Sequence, residues 1–162
     1  MTAPVQPGSP TVKPIPDNYP FISPYLCIRD AAAAIDFYKK AFGAKERMRM
    51  ADPTGRVGHA EIEIGGGLVM LADEFPDMGF RGPQHYGGSS VVIHCYVADV
   101  DALAEQAAAA GATITRPIAD QFYGDRSVSL SDPFGHTWTF STHIEDVSHE
   151  ETERRAKAKY GG

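Results

Sequence analysis

Apolar and polar positions alternate from Phe21 to Arg29, with Ile22, Leu26 and Ile28 in one phase and Pro24 in step, and this predicts a strand. Asp30 can cap a helix over Ala31 to Phe42, whose Ile35, Tyr38 and Phe42 fall on one face and which Gly43 ends. Three short strands follow, at Glu46 to Met50, Val57 to Ile64 and Leu68 to Ala72. The turn signals Asp52-Pro-Thr-Gly55 and Gly65-Gly-Gly67 separate them. From Asp73 to Gly88 no period survives among several glycines and prolines, so this stretch is read as a long connecting loop.

The same order then restarts. Val91 to Val97 predicts a strand, Asp99 caps a helix over Val100 to Ala110, and Gly111 ends it. Strands are expected at Thr113 to Pro117, Ser127 to Ser131 and His136 to Thr142, the last after the turn Asp132-Pro-Phe-Gly135. Ile28-Arg-Asp30 aligns with Val97-Ala-Asp99 at an offset of 69, and Gly43 with Gly111 and Gly67 with Gly135 at 68. The chain is therefore expected to be an α+β protein of two βαβββ repeats. Each repeat would be a four-stranded sheet with a helix on one face and would need its twin to bury the other, leaving a curved cleft between them. The expected divisions are an arm over 1–19, a domain over 20–146 (units 20–75 and 89–143, loop 76–88) and a charged helix over 147–162, where Ser148 and Glu151 resemble a capping box.

Composition narrows the partners. Net charge is −6, with acidic residues scattered, so a nucleic-acid-binding face is not expected. No apolar run reaches the ~20 residues of a membrane span. Met1 to Pro20 carries six prolines and no apolar signal-peptide core, and reads as an extended mobile arm. Cys27 and Cys95 both sit in apolar strands and read as buried free thiols, consistent with a cytoplasmic location.

Four segments, Asp30 to Gly43, His59 to Asp73, Gly124-Asp125-Arg126 and Asp132 to Trp138 (DPFGHTW), together with the paired repeats, resemble the vicinal oxygen chelate superfamily, the glyoxalase and bleomycin-resistance fold. The later segments, with His143 to Asp146, are similar to its PhnB-like subgroup. In metal-dependent members, the resemblance implies one divalent ion held from the first and last strands of each repeat. Carried onto this chain, those positions are Ser23, Leu71, Val92 and Thr139. None is a competent ligand, so no cofactor is expected, and the family's metal-dependent activities lose their basis. A displaced site built from His59, Glu61 and His94 stays open as an alternative.

Strand alternation sorts the side chains onto two faces. Ile22, Leu26, Ile28, Ala60, Ile62, Ile64, Leu68, Met70, Val91, Ile93, Cys95, Val97, Val128, Leu130, Trp138 and Phe140 are expected against the helices. The cleft set contains Tyr25, His59, Glu61, Val69, Leu71, Val92, His94, Tyr96 and several hydroxyl residues, a surface suited to a planar polar ligand. Tyr25 and His94 are repeat-equivalent and are expected on opposite walls of one cavity. Arg126 either locks a turn with Asp125 or, at the cleft mouth, takes a carboxylate or phosphate. The candidate ligand-binding residues are thus Tyr25, His59, Glu61, His94, Tyr96 and Arg126. His136 and Trp138 point to the helix side and read as structural.

The expected function is binding of a small polar or aromatic molecule without metal, by a homodimer. The alternative is a lyase, isomerase or dioxygenase-type enzyme with a displaced metal or a metal-free acid–base pair. No nucleophile elbow, phosphate loop, Cys-x-x-Cys pair or S-adenosylmethionine-type glycine fingerprint occurs.

Overall fold

The computed structural model describes residues 12–161. Residues 1–11 of the expected arm lie outside the described residues. The first repeat runs β1 (Tyr25–Ile28), α1 (Ala31–Phe42), β2 (Lys45–Ala51), β3 (Val57–Ile64), β4 (Gly67–Asp73). The second runs β5 (Val92–Tyr96), α2 (Val100–Ala110), β6 (Thr113–Asp120), β7 (Asp125–Ser131), β8 (Thr137–His143). The connecting loop holds two short 3₁₀ turns, Pro76–Met78 and Pro83–Tyr86, and α3 (His149–Tyr160) closes the described chain. Each repeat is one mixed sheet, ordered β1-β4-β3-β2 and β5-β8-β7-β6, with β1–β4 and β5–β8 parallel and the remaining pairs antiparallel. This is the expected α+β architecture.

The caps work as the sequence indicates. Asp30 and Asp99 accept from Ala33 N–H and Ala102 N–H, and Gly43 and Gly111 end both helices with positive φ. Asp73 adds a tie that the sequence does not announce: its two oxygens accept Ala31 N–H at 2.8 Å and Val57 N–H at 2.6 Å, pinning α1 to the end of β4.

One core serves both repeats. Ala34, Ile35 and Ala41 of α1 are buried in it, and the Tyr38 and Phe42 rings of the same helix meet Trp138 and Phe140 of β8, with centroids 4.8–5.4 Å apart. The Gln106 side chain of α2 donates to Lys40 O and Ala41 O of α1. The apolar faces of both sheets are therefore turned toward the helix pair, and the polar faces outward.

Three expectations change. β1 begins at Tyr25, because Pro20 and Pro24 keep the preceding stretch out of a ladder. Ile22 is 79% exposed rather than in the core, and Val91, just before β5, is exposed as well. The faces of β4 are the reverse of those expected. Gly65 and Gly66, with φ +56° and +85°, form a two-residue turn that sets Ile64 opposite Gly67 and Glu63 opposite Leu68. Val69 and Leu71 are thus buried in the core, while Leu68 and Met70 share the face of Glu61 and Tyr25. In the second sheet, the faces of β5, β7 and β8 fall as expected, apart from Val91.

Candidate functional site

The polar face of the first sheet carries a chain of ionisable groups. Tyr25 on β1 places its hydroxyl 2.8 Å from His59 Nδ1. His59 Nε2 lies a long 3.5 Å from Glu61 Oε1. Glu61 sits mid-strand on β3, 3% exposed, and its Oε1 accepts the Tyr19 hydroxyl at 2.8 Å. Arg47 Nε stands 3.9 Å from Oε2. With the hydrogen on Nε2, the His59 ring donates to Glu61 and its Nδ1 accepts from Tyr25. Burial raises the Tyr25 pKa above its ordinary value, which keeps the phenol a donor. Beside Tyr25 the connecting loop supplies an apolar hollow of about 450 Å³, lined by Gly58, Ala72, Phe75, Met78 and Phe80. Phe80 meets the Tyr25 ring edge-on at 6.0 Å.

The polar face of the second sheet is chemically quieter. Ser127 and Ser141 bond to each other at 2.8 Å, and Ser129 and Thr139 at 2.9 Å. Tyr96 donates to Asp125 at 2.8 Å, and His143 bridges Asp125 and Asp146, each at 2.9 Å. Those two carboxylates, Asp125 first, raise the His143 pKa. His94 lies 5.1 Å from the Tyr96 ring. A cleft of about 680 Å³ opens between the repeats, where His94 approaches the β3–β4 hairpin; Tyr19, Arg47, Glu63 and Leu68 also line it.

The predicted residues thus fall into three places. Tyr25, His59 and Glu61 come together. His94 and Tyr96 form a second pair on the other sheet, and Tyr25 does not line the inter-repeat cleft that His94 lines. Arg126 leaves the polar face altogether: it pairs with Asp101 of α2 through two bonds of 2.7 and 2.8 Å and with Asp120 at 2.7 Å. It is not paired with Asp125, its neighbour in sequence, because alternation turns Arg126 to the helix side. Tyr19, Arg47, Phe75 and Phe80 are not among the residues that the sequence pattern singles out. Tyr19 was findable as the one aromatic in the Pro-rich arm. The two phenylalanines lay in a loop with no period to place them.

A family model described as the glyoxalase/bleomycin resistance protein/dioxygenase superfamily matches residues 21–140. The chain belongs to that superfamily. An uncharacterized protein of Mycobacterium bovis is 42% identical over 146 residues, which cover 88% of this chain and 96% of the relative. Among solved structures, TioX from Micromonospora superposes with a TM-score of 0.58 at 27% identity, covering 74% of this chain and 95% of TioX. The PhnB protein of Bacillus cereus reaches 0.61 at 17% identity over 76% and 99%, a likeness of fold.

The family's metal does not fit the residues present. The β3–β4 register makes Met70, not Leu71, the counterpart of Thr139, since Tyr25 pairs with Met70 as His94 pairs with Thr139. The donor set becomes Ser23, Met70, Val92 and Thr139: two neutral hydroxyls, one of them already bonded to Ser129, a thioether and a hydrocarbon. His59 and Glu61 lie on one sheet and His94 on the other. Among the described residues no group of three His, Cys, Asp or Glu is placed to hold an ion. No described helix is long and apolar enough to cross a membrane.

Proposed function

We propose that this superfamily member binds a small, partly aromatic molecule on the polar face of its first sheet, without metal. One observation carries the reading: the half-exposed Tyr25 hydroxyl, backed by His59, stands at the lip of the hollow made by Phe75, Met78 and Phe80. A polar hook beside an apolar recess is the usual economy of a ligand site, where the recess supplies burial and the hook orientation. A thermal-shift screen of metabolites and antibiotics would identify the ligand. Tyr25→Phe should then weaken it by about 0.5–1.5 kcal/mol, roughly two- to tenfold, while unfolding stays put. Unchanged affinity would remove Tyr25 from the site.

The functional unit of this reading is a homodimer. Met50, Val92 and Tyr96 stand 54%, 54% and 64% exposed on the polar faces, and Phe21 and Ile22, just before β1, are 93% and 79% exposed. A second copy laid against them would cover this surface and wall the site with the face carrying His94 and Tyr96. The thiols of Cys27 and Cys95 are free, which suits a reducing cytoplasm.

The Tyr25–His59–Glu61 chain also favours a second reading, metal-free acid–base catalysis. The Tyr25 hydroxyl would take a proton from a ligand group as it passes its own to His59 Nδ1, while Glu61 at Nε2 orients the ring and balances the imidazolium charge. Turnover lost in Glu61→Gln while binding persists would select it.

A further inference from the structure

The last part of the arm lies on this face. A turn closed by Tyr19 N–H on Pro16 O brings the Tyr19 side chain over β3. There its hydroxyl donates to the nearly inaccessible carboxylate of Glu61 at 2.8 Å, and the Arg47 guanidinium sits 5.4 Å from its ring centroid. Arg47 also donates to Asn18 O at 3.3 Å, so one side chain grips both the ring and the backbone of the arm. The inter-repeat cleft of about 680 Å³ adjoins this seat and has Tyr19 itself in its wall.

These groups form a recognition set for one kind of molecule. Glu61 is an acceptor that reads a hydroxyl proton. Arg47 offers a flat cation to a π-face. Leu68 of the hairpin adds apolar wall to the adjoining space. The hydrogen bond to Glu61, more than burial, raises the Tyr19 pKa, so the arm presents a protonated phenol.

We infer that the seat formed by Glu61 and Arg47 is a binding site for small phenols, and that Tyr19 is its built-in competitor. The inference rests on the reading that the first sheet's polar face binds ligands, and it names their class. A free phenol enters only when the arm lifts, so its apparent affinity is the intrinsic one multiplied by the open fraction. The arm is held at this seat by the Tyr19–Glu61 and Arg47–Asn18 hydrogen bonds and one cation–π contact, offset by the cost of ordering the arm, for an open fraction of roughly one in ten or smaller.

The test titrates p-cresol and its methyl ether into the full-length protein and its Tyr19→Ala variant, following ligand resonances by NMR. Tyr19 lies outside every helix and strand, so its truncation leaves the fold in place. The expected result is p-cresol binding about tenfold more tightly to Tyr19→Ala than to wild type. The ether, which cannot donate to Glu61, should gain less than about twofold. Adding Glu61→Gln to Tyr19→Ala should take back several-fold of the p-cresol gain. Equal p-cresol affinity with and without Tyr19 overturns the inference, as does an equal gain for the ether. In either case a screened ligand that still weakens on Tyr25→Phe leaves the broader site reading standing, and one that does not removes both.

Discussion

Removing one hydroxyl at the junction of the repeats should measure how strongly they are locked together. Tyr38 of α1 donates to Asp132 Oδ2 at 2.6 Å, across 94 residues of sequence. The same oxygen accepts Trp138 Nε1 at 2.9 Å, and Oδ1 accepts Phe134 N–H and His136 N–H, each at 2.9 Å. Tyr38 is wholly buried and Asp132 is 5% exposed. Tyr38→Phe keeps the ring against Phe42, Phe134 and Trp138, so no large cavity opens. It deletes a hydrogen bond to a charged acceptor, which contributes about 1.5–3 kcal/mol. Asp132 retains three of its four donors, so the carboxylate is not orphaned and the loss should stay near 2 kcal/mol, about 4–8 °C in Tm for a chain of this length. Urea unfolding followed by tryptophan fluorescence suits the question, because Trp138 is the only tryptophan and shares the acceptor. A second signature comes from alkali. Burial, then the negative charge of Asp132, raises the Tyr38 pKa well above 10.0. The unfolded chain therefore releases this proton first. The stability it confers is full below pH 10.0 and drains as pH rises toward the folded value. Tyr38→Phe should lack that part of the alkaline loss. A change below about 0.5 kcal/mol in the midpoint-derived stability, with the urea slope unaltered, would refute the lock.

Two further outcomes are expected. Light scattering at micromolar concentration should give twice the 17.5 kDa chain mass, and Tyr96→Asp should shift it toward the single mass by placing a charge on the covered face. A pure 17.5 kDa species for the wild type would count against the dimer. His143, its pKa raised by Asp125 and then Asp146, confers stability that is full below pH 6.5 and is lost as pH climbs through its folded value. His143→Gln should flatten the Tm profile above pH 6.5, and an unchanged profile would show that the bridge carries nothing.

The repeat was readable because its punctuation is local: Asp caps, terminal glycines and a two-residue periodicity act within a few residues. The face of β4 was not, since three consecutive glycines leave open which two make the turn, and the choice flips every side chain after them. Arg126 shows a different limit. Its partners Asp101 and Asp120 stand 25 and 6 residues away, and only the packing of α2 against the second sheet selects them over Asp125. Asp132 is a turn residue by its sequence context and in the fold. That its carboxylate also gathers Tyr38 and Trp138 depends on α1 crossing to the other repeat, which no spacing in the sequence encodes.

The divergence between the repeats bears on where recognition resides. Tyr25, Met70 and Glu61 form one row across the first sheet, and His94, Thr139 and Ser129 form the matching row of the second. His59, two residues before Glu61, is matched by Ser127. Where the first sheet holds a carboxylate and an imidazole, the second holds serines already bonded to their neighbours across the strand. A hydroxyl with a partner contributes little to a ligand, because the new bond replaces one that exists. The Glu61 carboxylate contributes more although it already accepts from Tyr19, since an anion has acceptor sites to spare and hydrogen bonds to charged groups are worth about 1.5–3 kcal/mol against about 0.5–1.5 for neutral ones. The same fold twice over therefore makes two unequal walls. In the proposed dimer, a site walled by one face of each kind would orient its ligand from the Tyr25–His59–Glu61 side and use the hydroxyl-rich side for shape. Substitutions at Ser129 or Thr139 should then alter which ligands fit, and substitutions at Glu61 whether any are held.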